Sequence, residues 1–161
     1  MSLESDFKDA LAAWASGVSV VTAADGDLVY GLTVSSFSSL SLDPPLVLVC
    51  LANSNRLPSM VREAGAFAVS ILDRRQEQAS NSFASRGREP SSDLAAIGCR
   101  RTESGAPVVD GAMGWLACSL HDSIEQGDHT IFVGRVVEAS ANPEGEPLLY
   151  FRRAYRGVDG L

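Results

Sequence analysis

The sequence predicts a mainly β protein, an antiparallel barrel of six or seven strands flanked by short helices. Short runs of β-branched residues recur along the chain, and consecutive runs are often separated by turn residues, as in hairpins. The helical segments are few and short, so the strand and helix alternation of a doubly wound sheet is missing. The 161 residues, 45% of them hydrophobic, suit one domain over residues 1–161.

The chain is expected to begin with a short amphipathic helix. Apolar residues recur at helical spacing after Ser5 or Asp6, and either side chain can accept the first free amide hydrogens. Trp14 lies on the apolar side of this pattern and is predicted to be core. The runs GVSVVTAA and LVYGLTV then flank the turn DGD and predict a hairpin, in which Gly26 takes a positive φ.

The most apolar run, PPLVLVCLA, is predicted to be the central strand, covered on both faces. RLPSMVREAG predicts a short helix that ends at Gly65, AFAVSIL a strand, and DRRQEQASNSFA a helix capped by Asp73. Residues 85–114 are rich in glycine, proline, serine and charge, so a long surface loop is expected. Three further strands are predicted in GWLACSLHDSIE, HTIFVGRVVEAS and EPLLYF.

Composition excludes several functional classes. Three cysteines and two histidines without metal-ligand spacing predict neither a zinc site nor a disulfide framework. A net charge of −7 without a long basic run argues against nucleic acid. Lys8 is the only lysine, which disfavours Schiff-base chemistry and a P-loop. Without a signal peptide or membrane-spanning stretch, the expected location is the cytoplasm, with no membrane partner.

The motifs GxGxxG, GxSxG and HExxH are absent, so a Rossmann dinucleotide site, a serine hydrolase and a zincin are not predicted. The segment GLTVSSFSSLSLDPP over residues 31–45 instead concentrates five serines before the most apolar strand. Hydroxyls and backbone amides at a strand end can bind an anion or a polyol, such as a ribityl phosphate. The alternative is an exposed strand and turn in which serine is merely tolerated.

Taken together, the ordered segments resemble the flavin reductase family of split-barrel flavin-binding proteins over residues 7–157. The resemblance rests on GVSVVTA, GLTVSSFSSLSLDPPLVLVCLA, RLPSMVREAGAFAVSIL, FASRG, GDHTIFVGRV and EPLLYF, in this order. It implies a homodimeric, six-stranded antiparallel Greek-key split β-barrel with short flanking helices. It also implies an enzyme that reduces FMN or FAD with NADH or NADPH and passes the reduced flavin to a partner monooxygenase.

The resemblance also implies site residues. The segment along the isoalloxazine edge and ribityl chain comprises Thr33, Val34, Ser35, Ser36, Ser39 and Ser41. The strand end beneath the ring is Cys50, Leu51 and Ala52, and the phosphate side is Asn55, Arg56, Ser85 and Arg86. Tyr155 lies where the C-terminal segment approaches the nucleotide, and His129, next to the nicotinamide pocket, is the candidate catalytic residue. The family often has asparagine at the position of Ser35 and serine at that of Asn55.

Hydride transfer from nicotinamide C4 to flavin N5 needs no acid, base or nucleophile from the protein, and none is predicted. Cys50 is expected to pack against the flavin. Two alternatives stay open: a flavin-binding carrier or sensor without reductase activity, and a split-barrel protein related to pyridoxal-phosphate oxidases or haem proteins. No metal site is expected.

Overall fold

The computed structural model describes residues 2–159, which form three short α-helices and twelve β-strands. The helices are α1 (Leu3–Ala12), α2 (Leu57–Ala64) and α3 (Glu77–Ala84). The strands are β1 (Ser16–Gly17), β2 (Ser19–Asp25), β3 (Leu28–Val34), β4 (Ser38–Leu42), β5 (Pro45–Ala52), β6 (Ala66–Ile71), β7 (Cys99–Arg101), β8 (Pro107–Val109), β9 (Gly114–Gln126), β10 (His129–Ala141), β11 (Leu149–Phe151) and β12 (Ala154–Arg156).

The main sheet has seven antiparallel strands in the order β3-β2-β6-β9-β10-β5-β4. Two small sheets accompany it, β1-β11-β12 and the hairpin β7-β8. The predicted mainly β, antiparallel class is confirmed. The serine-rich segment adds β4 as an edge strand, so the sheet has seven strands where the resemblance implies six. Closure of the sheet into a barrel stays a prediction.

The predicted first hairpin is confirmed. β2 pairs with β3 from Ser19 opposite Val34 to Asp25 opposite Leu28, and Gly26 in the turn has a φ of +56°. β2 separates two hydrophobic cores: Val21 packs into the core under α2, and Val20 into the core under α3. β2 is therefore covered on both faces.

That covered position was predicted for β5, and this prediction is wrong. β5 lies between β10 and the edge strand β4, and buried residues alternate along it with half-buried ones. Val49 and Leu51 point into the core, whereas Cys50 and Ala52 are half-buried on the other face. Where β5 ends, this second face borders an open cavity, which Cys50 and Ala52 line.

The predictions for the first helix need two corrections. Its N-cap is Ser2, whose hydroxyl accepts a hydrogen bond from the Ser5 amide at 3.3 Å, so the helix begins earlier than Ser5 or Asp6 would allow. Trp14 follows the helix and is 76% exposed, not core. No residue of α1 is buried, because its apolar side has no covering element within residues 2–159.

The second helix follows its prediction, and the third does not. α2 ends at Gly65, which has a φ of +62°. Asp73 does not cap α3, which starts at Glu77 after Gln76. Asp73 instead accepts hydrogen bonds from the Arg75 backbone amide at 3.0 Å and the Arg75 guanidinium at 2.7 Å. These bonds lower the pKa of Asp73 to about 2, and the bond from the Arg75 guanidinium has the largest effect.

Residues 85–114 are not wholly a surface loop. β7 and β8 form a hairpin in which Cys99 and Val108 are buried. Two buried hydroxyls hold β8 in place: Thr22 donates to the carbonyl of Pro107 at 2.5 Å, and Ser70 accepts from the amide of Val109 at 2.9 Å. Helices long and apolar enough to cross a membrane do not occur in residues 2–159.

Candidate functional site

A cavity of about 440 Å³ opens where β3 and β5 end, α3 ends and β10 begins. The pairing of β10 with β5 fixes one wall, because it places His129 opposite Ala52 and Ile131 opposite Cys50. The lining residues are Leu32, Thr33, Val34, Ser35, Ser36, Cys50, Leu51, Ala52, Asn55, Phe83, Ala84 and His129.

The structure brings together nine of the residues predicted from the sequence. They are Thr33, Val34, Ser35, Ser36, Cys50, Leu51, Ala52, Asn55 and His129. They come from three separate stretches of the chain, which the antiparallel pairing brings to one end of the sheet. Their common position agrees with a shared site, and their individual roles stay predictions.

Not every hydroxyl at the cavity is available to a ligand. The Ser36 hydroxyl accepts from the Cys50 amide at 3.1 Å and donates to the Cys50 carbonyl at 2.8 Å. Thr33 donates to the carbonyl of Ser80 at 2.7 Å. Ser35 is exposed, and its hydroxyl makes none of the side-chain hydrogen bonds found within residues 2–159. Ser35 is therefore the serine of this wall best placed to bind a ligand.

Of the four predicted phosphate-side residues, Asn55 lines the cavity, whereas Arg56, Ser85 and Arg86 lie beside it. Arg56 follows the lining residue Asn55 and pairs with Glu89 at 2.7 Å. Ser85 follows the lining residue Ala84 and, like Arg86 after it, is exposed. The side-chain oxygen Oδ1 of Asn55 accepts a hydrogen bond from the Leu57 backbone amide at 3.3 Å. The side-chain NH₂ group of Asn55 is therefore the part left to face a ligand.

Ser39 and Ser41 lie farther along the segment, on the edge strand β4. Ser39 is opposite Val47 and Ser41 is opposite Leu46, and neither is among the residues that line the cavity. The sequence places them in one serine-rich segment with Ser35, but the β-bulge between Ser39 and Ser41 and the start of a new strand carry them away. Their predicted contact with flavin has no support from this geometry.

Tyr155 lines a second cavity, of about 220 Å³, next to the first. Its hydroxyl lies 2.7 Å from the Ser80 hydroxyl and donates to the Asn81 side chain at 3.1 Å. Its ring contacts that of Tyr150 edge to face, with 5.4 Å between centroids and 65° between planes. The lining residues are Val18, Thr33, Val34, Ser35, Ser80, Ala84, Tyr150 and Tyr155.

His129 lies at the mouth of the larger cavity, and its side chain is about half exposed. Its Nδ1 is 2.7 Å from the Asp128 carboxylate, and this contact lowers the pKa of Asp128. The turn before His129 is held by Asn53, whose backbone amide donates a hydrogen bond to the backbone carbonyl of Asp128 at 2.9 Å. Asp128 was missed by the sequence reasoning, although it stands beside His129 in the GDH triplet.

Arg88 is a second residue that sequence reasoning missed. Its guanidinium donates to the carbonyls of Gly31 and Phe83, and lies over the rings of Tyr30 and Phe83 at 4.9 and 5.1 Å. Burial lowers its pKa. These contacts fasten the segment after α3 to β3 and hold Ser85 beside the cavity. The only signal was its position next to FASRG, because both carbonyl partners depend on the fold.

The larger cavity fits a flat ring system with a polar edge. Val34, Cys50 and Ala52 supply apolar surface, while Ser35 and Asn55 supply hydrogen-bonding groups at the rim. Its volume lies within the roughly 300–1,000 Å³ of small-molecule sites. Among the twelve lining residues only Cys50 and His129 can titrate, so the cavity can hold and orient a ligand but provides no acid and base pair. These properties match a flavin ring.

Comparison with known proteins agrees with this description. A family model described as a flavin reductase like domain matches residues 11–159. An NADH-dependent flavin reductase of Rhodococcus sp is 40% identical, with 96% of this chain and 86% of the relative covered. The reductase component of 4-hydroxyphenylacetate 3-monooxygenase of Thermus thermophilus is 43% identical, with 93% of each covered.

A third relative, a probable flavin reductase of Rhizobium meliloti, is longer. It is 43% identical over 92% of this chain, which spans only 47% of its length. Among solved structures, BorF, the flavin reductase component of a bacterial two-component tryptophan halogenase, superposes with a TM-score of 0.89. It is 33% identical, and the match covers 96% of this chain and 98% of BorF.

Proposed function

The chain belongs to the flavin reductase family, and we propose that it transfers a hydride from NADH to FMN or FAD and supplies the reduced flavin to a partner monooxygenase. The observation that carries this proposal is the cavity of about 440 Å³, in which nine residues predicted from three sequence segments meet. The name of the Rhodococcus relative favours NADH, and NADPH is the alternative nucleotide.

The side chains around the cavity bind and orient the flavin. Val34, Cys50 and Ala52 form the apolar surface against which a ring packs, and they exclude water from its face. Ser35 donates a hydrogen bond to the polar edge of the ring or to the ribityl chain, and the side-chain NH₂ group of Asn55 donates towards the phosphate end. When bound, the flavin supplies the hydride-accepting chemistry at N5. Cys50 is therefore a packing residue and not a nucleophile.

His129 orients the nicotinamide and moves no proton. Its ring lies at the cavity mouth, and the Asp128 carboxylate at 2.7 Å from Nδ1 fixes its orientation. The phosphate end of the flavin is assigned to Arg56, Ser85 and Arg86, which lie beside the cavity. The two guanidinium groups offer positive charge, whereas the Ser85 hydroxyl donates to the Ser82 carbonyl at 2.7 Å and must turn away from it to reach a phosphate.

The proposed assembly is a homodimer. Leu3, Phe7, Leu11 and Trp14 expose a continuous apolar side of the first helix and the residues after it. Monomers rarely leave such a surface uncovered, and a second copy of the chain is the occupant that the family resemblance implies. A cytoplasmic location stays a prediction from the sequence.

The test is oxidation of NADH and NADPH by the purified protein with FMN, FAD or riboflavin, followed by absorbance at 340 nm. We expect nucleotide oxidation that depends on added flavin. A folded protein that binds flavin but does not accelerate its reduction by either nucleotide would be a carrier or sensor, and the proposal would be wrong.

A further inference from the structure

The strand that carries His129 has a buried hydroxyl at its second residue. Thr130 is fully buried, and its hydroxyl donates to the side-chain oxygen Oδ1 of Asn53 at 2.7 Å and accepts from the Arg62 guanidinium at 3.1 Å. We propose that these three side chains, the Thr130 cluster, position His129 against the nicotinamide. This inference rests on the proposed function, because the cluster acts through His129.

The Thr130 cluster lies where strand pairing ends. β10 begins at His129, which is opposite Ala52, the last residue of β5. Beyond this pair, the backbone amide of Asn53 donates to the backbone carbonyl of Asp128 at 2.9 Å. The ends of elements open more readily than their centres, because fewer contacts must break. His129 is therefore only as well placed as the end of its strand.

The two partners of Thr130 belong to different elements. Arg62 lies on α2, a helix whose buried residues belong to the core. Its guanidinium also lies over the ring of Phe132 at 5.3 Å, two residues farther along β10. Asn53 directly follows β5. The Thr130 hydroxyl thus joins the end of β10 to the end of β5 and to a helix that the core holds in place.

A hydroxyl can hold both partners at once because it donates and accepts. A guanidinium has no acceptor, so the oxygen of Thr130 accepts from Arg62, and its hydrogen is left for the Asn53 oxygen. Arg62 and Asn53 are both exposed, so water can take the place of the hydroxyl when it is removed. Its loss should therefore loosen the strand end without unfolding the protein.

Thr130→Val removes the hydroxyl and keeps the branched shape of the side chain. We expect the KM for NADH to rise about threefold, which is less than in His129→Ala. The KM for flavin should not change, because Thr130 does not line the cavity. Thr130→Ser keeps the hydroxyl and should have the wild-type KM for NADH.

Thr22→Val is the matched control. Thr22 is also fully buried, and its hydroxyl donates to the Pro107 carbonyl at 2.5 Å, but it lines neither cavity. This variant should lose at least as much stability in urea as Thr130→Val and keep the wild-type KM for NADH. An equal rise of KM in both variants would mean that KM follows general destabilisation, and the proposal would be wrong.

A double variant tests whether Thr130 acts through His129. When Thr130→Val is added to His129→Ala, the KM for NADH should rise no further, because the side chain that the cluster positions is already gone. A further threefold rise would show that Thr130 affects the nucleotide by another route, and would contradict the proposal.

Hydrogen exchange separates this inference from the proposed function, because it does not depend on activity. In Thr130→Val, the Asn53 amide hydrogen should exchange at least about threefold faster by NMR, whereas Thr22→Val should keep the wild-type rate. An unchanged rate in Thr130→Val would overturn the role of the cluster even in a protein that reduces flavin. Faster exchange in a protein that does not oxidise NADH with flavin would instead refute the proposed function, and with it the positioning of nicotinamide.

Discussion

Ser36 joins two strands through a single hydroxyl at the edge of the cavity. The hydroxyl accepts from the Cys50 amide and donates to the Cys50 carbonyl, so it replaces strand pairing where the chain leaves β3. Ser36→Ala leaves both backbone groups without this partner in a half-buried place. We expect the free energy of unfolding to fall by about 1–3 kcal/mol, measured by urea denaturation.

Ser38→Ala is the control for that change. The Ser38 hydroxyl is exposed and bonds only to the carbonyl of the next residue, Ser39, so its loss should move the unfolding free energy by less than about 0.5 kcal/mol. If both variants unfold at the same urea concentration, the role given to Ser36 is wrong.

His129 is expected to act on the nucleotide and not on the flavin. Because it orients the nicotinamide without transferring a proton, His129→Ala should raise the KM for NADH and lower kcat/KM about tenfold, or about 1.4 kcal/mol. The flavin KM should change little. Steady-state assays that vary nucleotide and flavin separately measure both quantities.

The other histidine of the chain provides the comparison. His121 is exposed on β9 and lines neither cavity, so His121→Ala should have wild-type kinetics. Unchanged nucleotide KM and kcat in His129→Ala would end the assignment of His129 to the site.

At the scale of single residues, the sequence predicts which side chains gather but not which of them are free. Thr33 and Ser36 look equivalent to Ser35 in GLTVSSF, yet their hydroxyls bond to residues 47 and 14 positions away. Such partners are set by the packing of α3 and β5, which local pattern does not encode. Arg88 escaped prediction for a similar reason, because its carbonyl partners belong to β3 and α3.

The turn between β6 and α3 is held by a buried carboxylate. Asp73 binds Arg75 and also accepts from the Glu146 amide at 3.3 Å, which ties this turn to the segment before β11. The bonds from Arg75, with a smaller one from Glu146, lower the pKa of Asp73 from 3.8 to about 2. Because the pKa is lower in the folded state, the stabilisation is complete above about pH 4 and is lost as the pH falls through 2.

Asp73→Asn should therefore destabilise the protein at neutral pH and less so in acid. The loss at pH 7 should be at most about 2 kcal/mol, because the partner Arg75 is 80% exposed and its charge is screened by water. Urea unfolding at pH 7 and near pH 2.5 measures the difference, with Glu63→Gln, an exposed carboxylate on α2, as the control. An equal loss at both pH values would contradict the assignment.

At the scale of elements, periodicity predicted where the strands and hairpins lie along the chain better than it predicted which strands pair in the sheet. β2, β3, β6, β9 and β10 lie where their β-branched runs predicted, because alternation and turn residues are local properties. The place of β5 in the sheet depends on pairing with β10, about 80 residues away, and could not be read from its composition. The hairpin β7-β8 was missed because its two strands are only three residues long and lie within a mostly polar segment, so no periodic apolar pattern indicates them.

At the scale of the molecule, four depressions of the surface meet at one residue. Ser35 lines both cavities described above and two further depressions, of about 380 and 460 Å³, that reach Trp14 and the first helix. Leu11 lines the second of these depressions. The apolar side of the first helix is therefore continuous with the site, so a second copy docked on this side, as proposed above, would also cover the cavity.

Because the apolar side of the first helix is continuous with the site, we expect dimer assembly and flavin binding to depend on each other. We expect the wild-type chain to have twice the mass of a single chain by light scattering at micromolar concentration, with two-fold symmetry. The double variant Phe7→Ser with Leu11→Ser removes large apolar side chains from both copies of the interface. Since each is worth about 1.5–3 kcal/mol when fully buried, the dissociation constant should rise more than about a hundredfold.

Asp6→Ser, on the same helix but polar, should remain dimeric. The double variant should also lose flavin affinity in step with its dissociation, and recover it at protein concentrations that restore the dimer, because the partner closes depressions that meet at Ser35. A wild-type monomer with flavin bound would refute the homodimer. A dissociated double variant with wild-type flavin affinity would instead separate the interface from the site, and would place the closing of the cavity within a single chain.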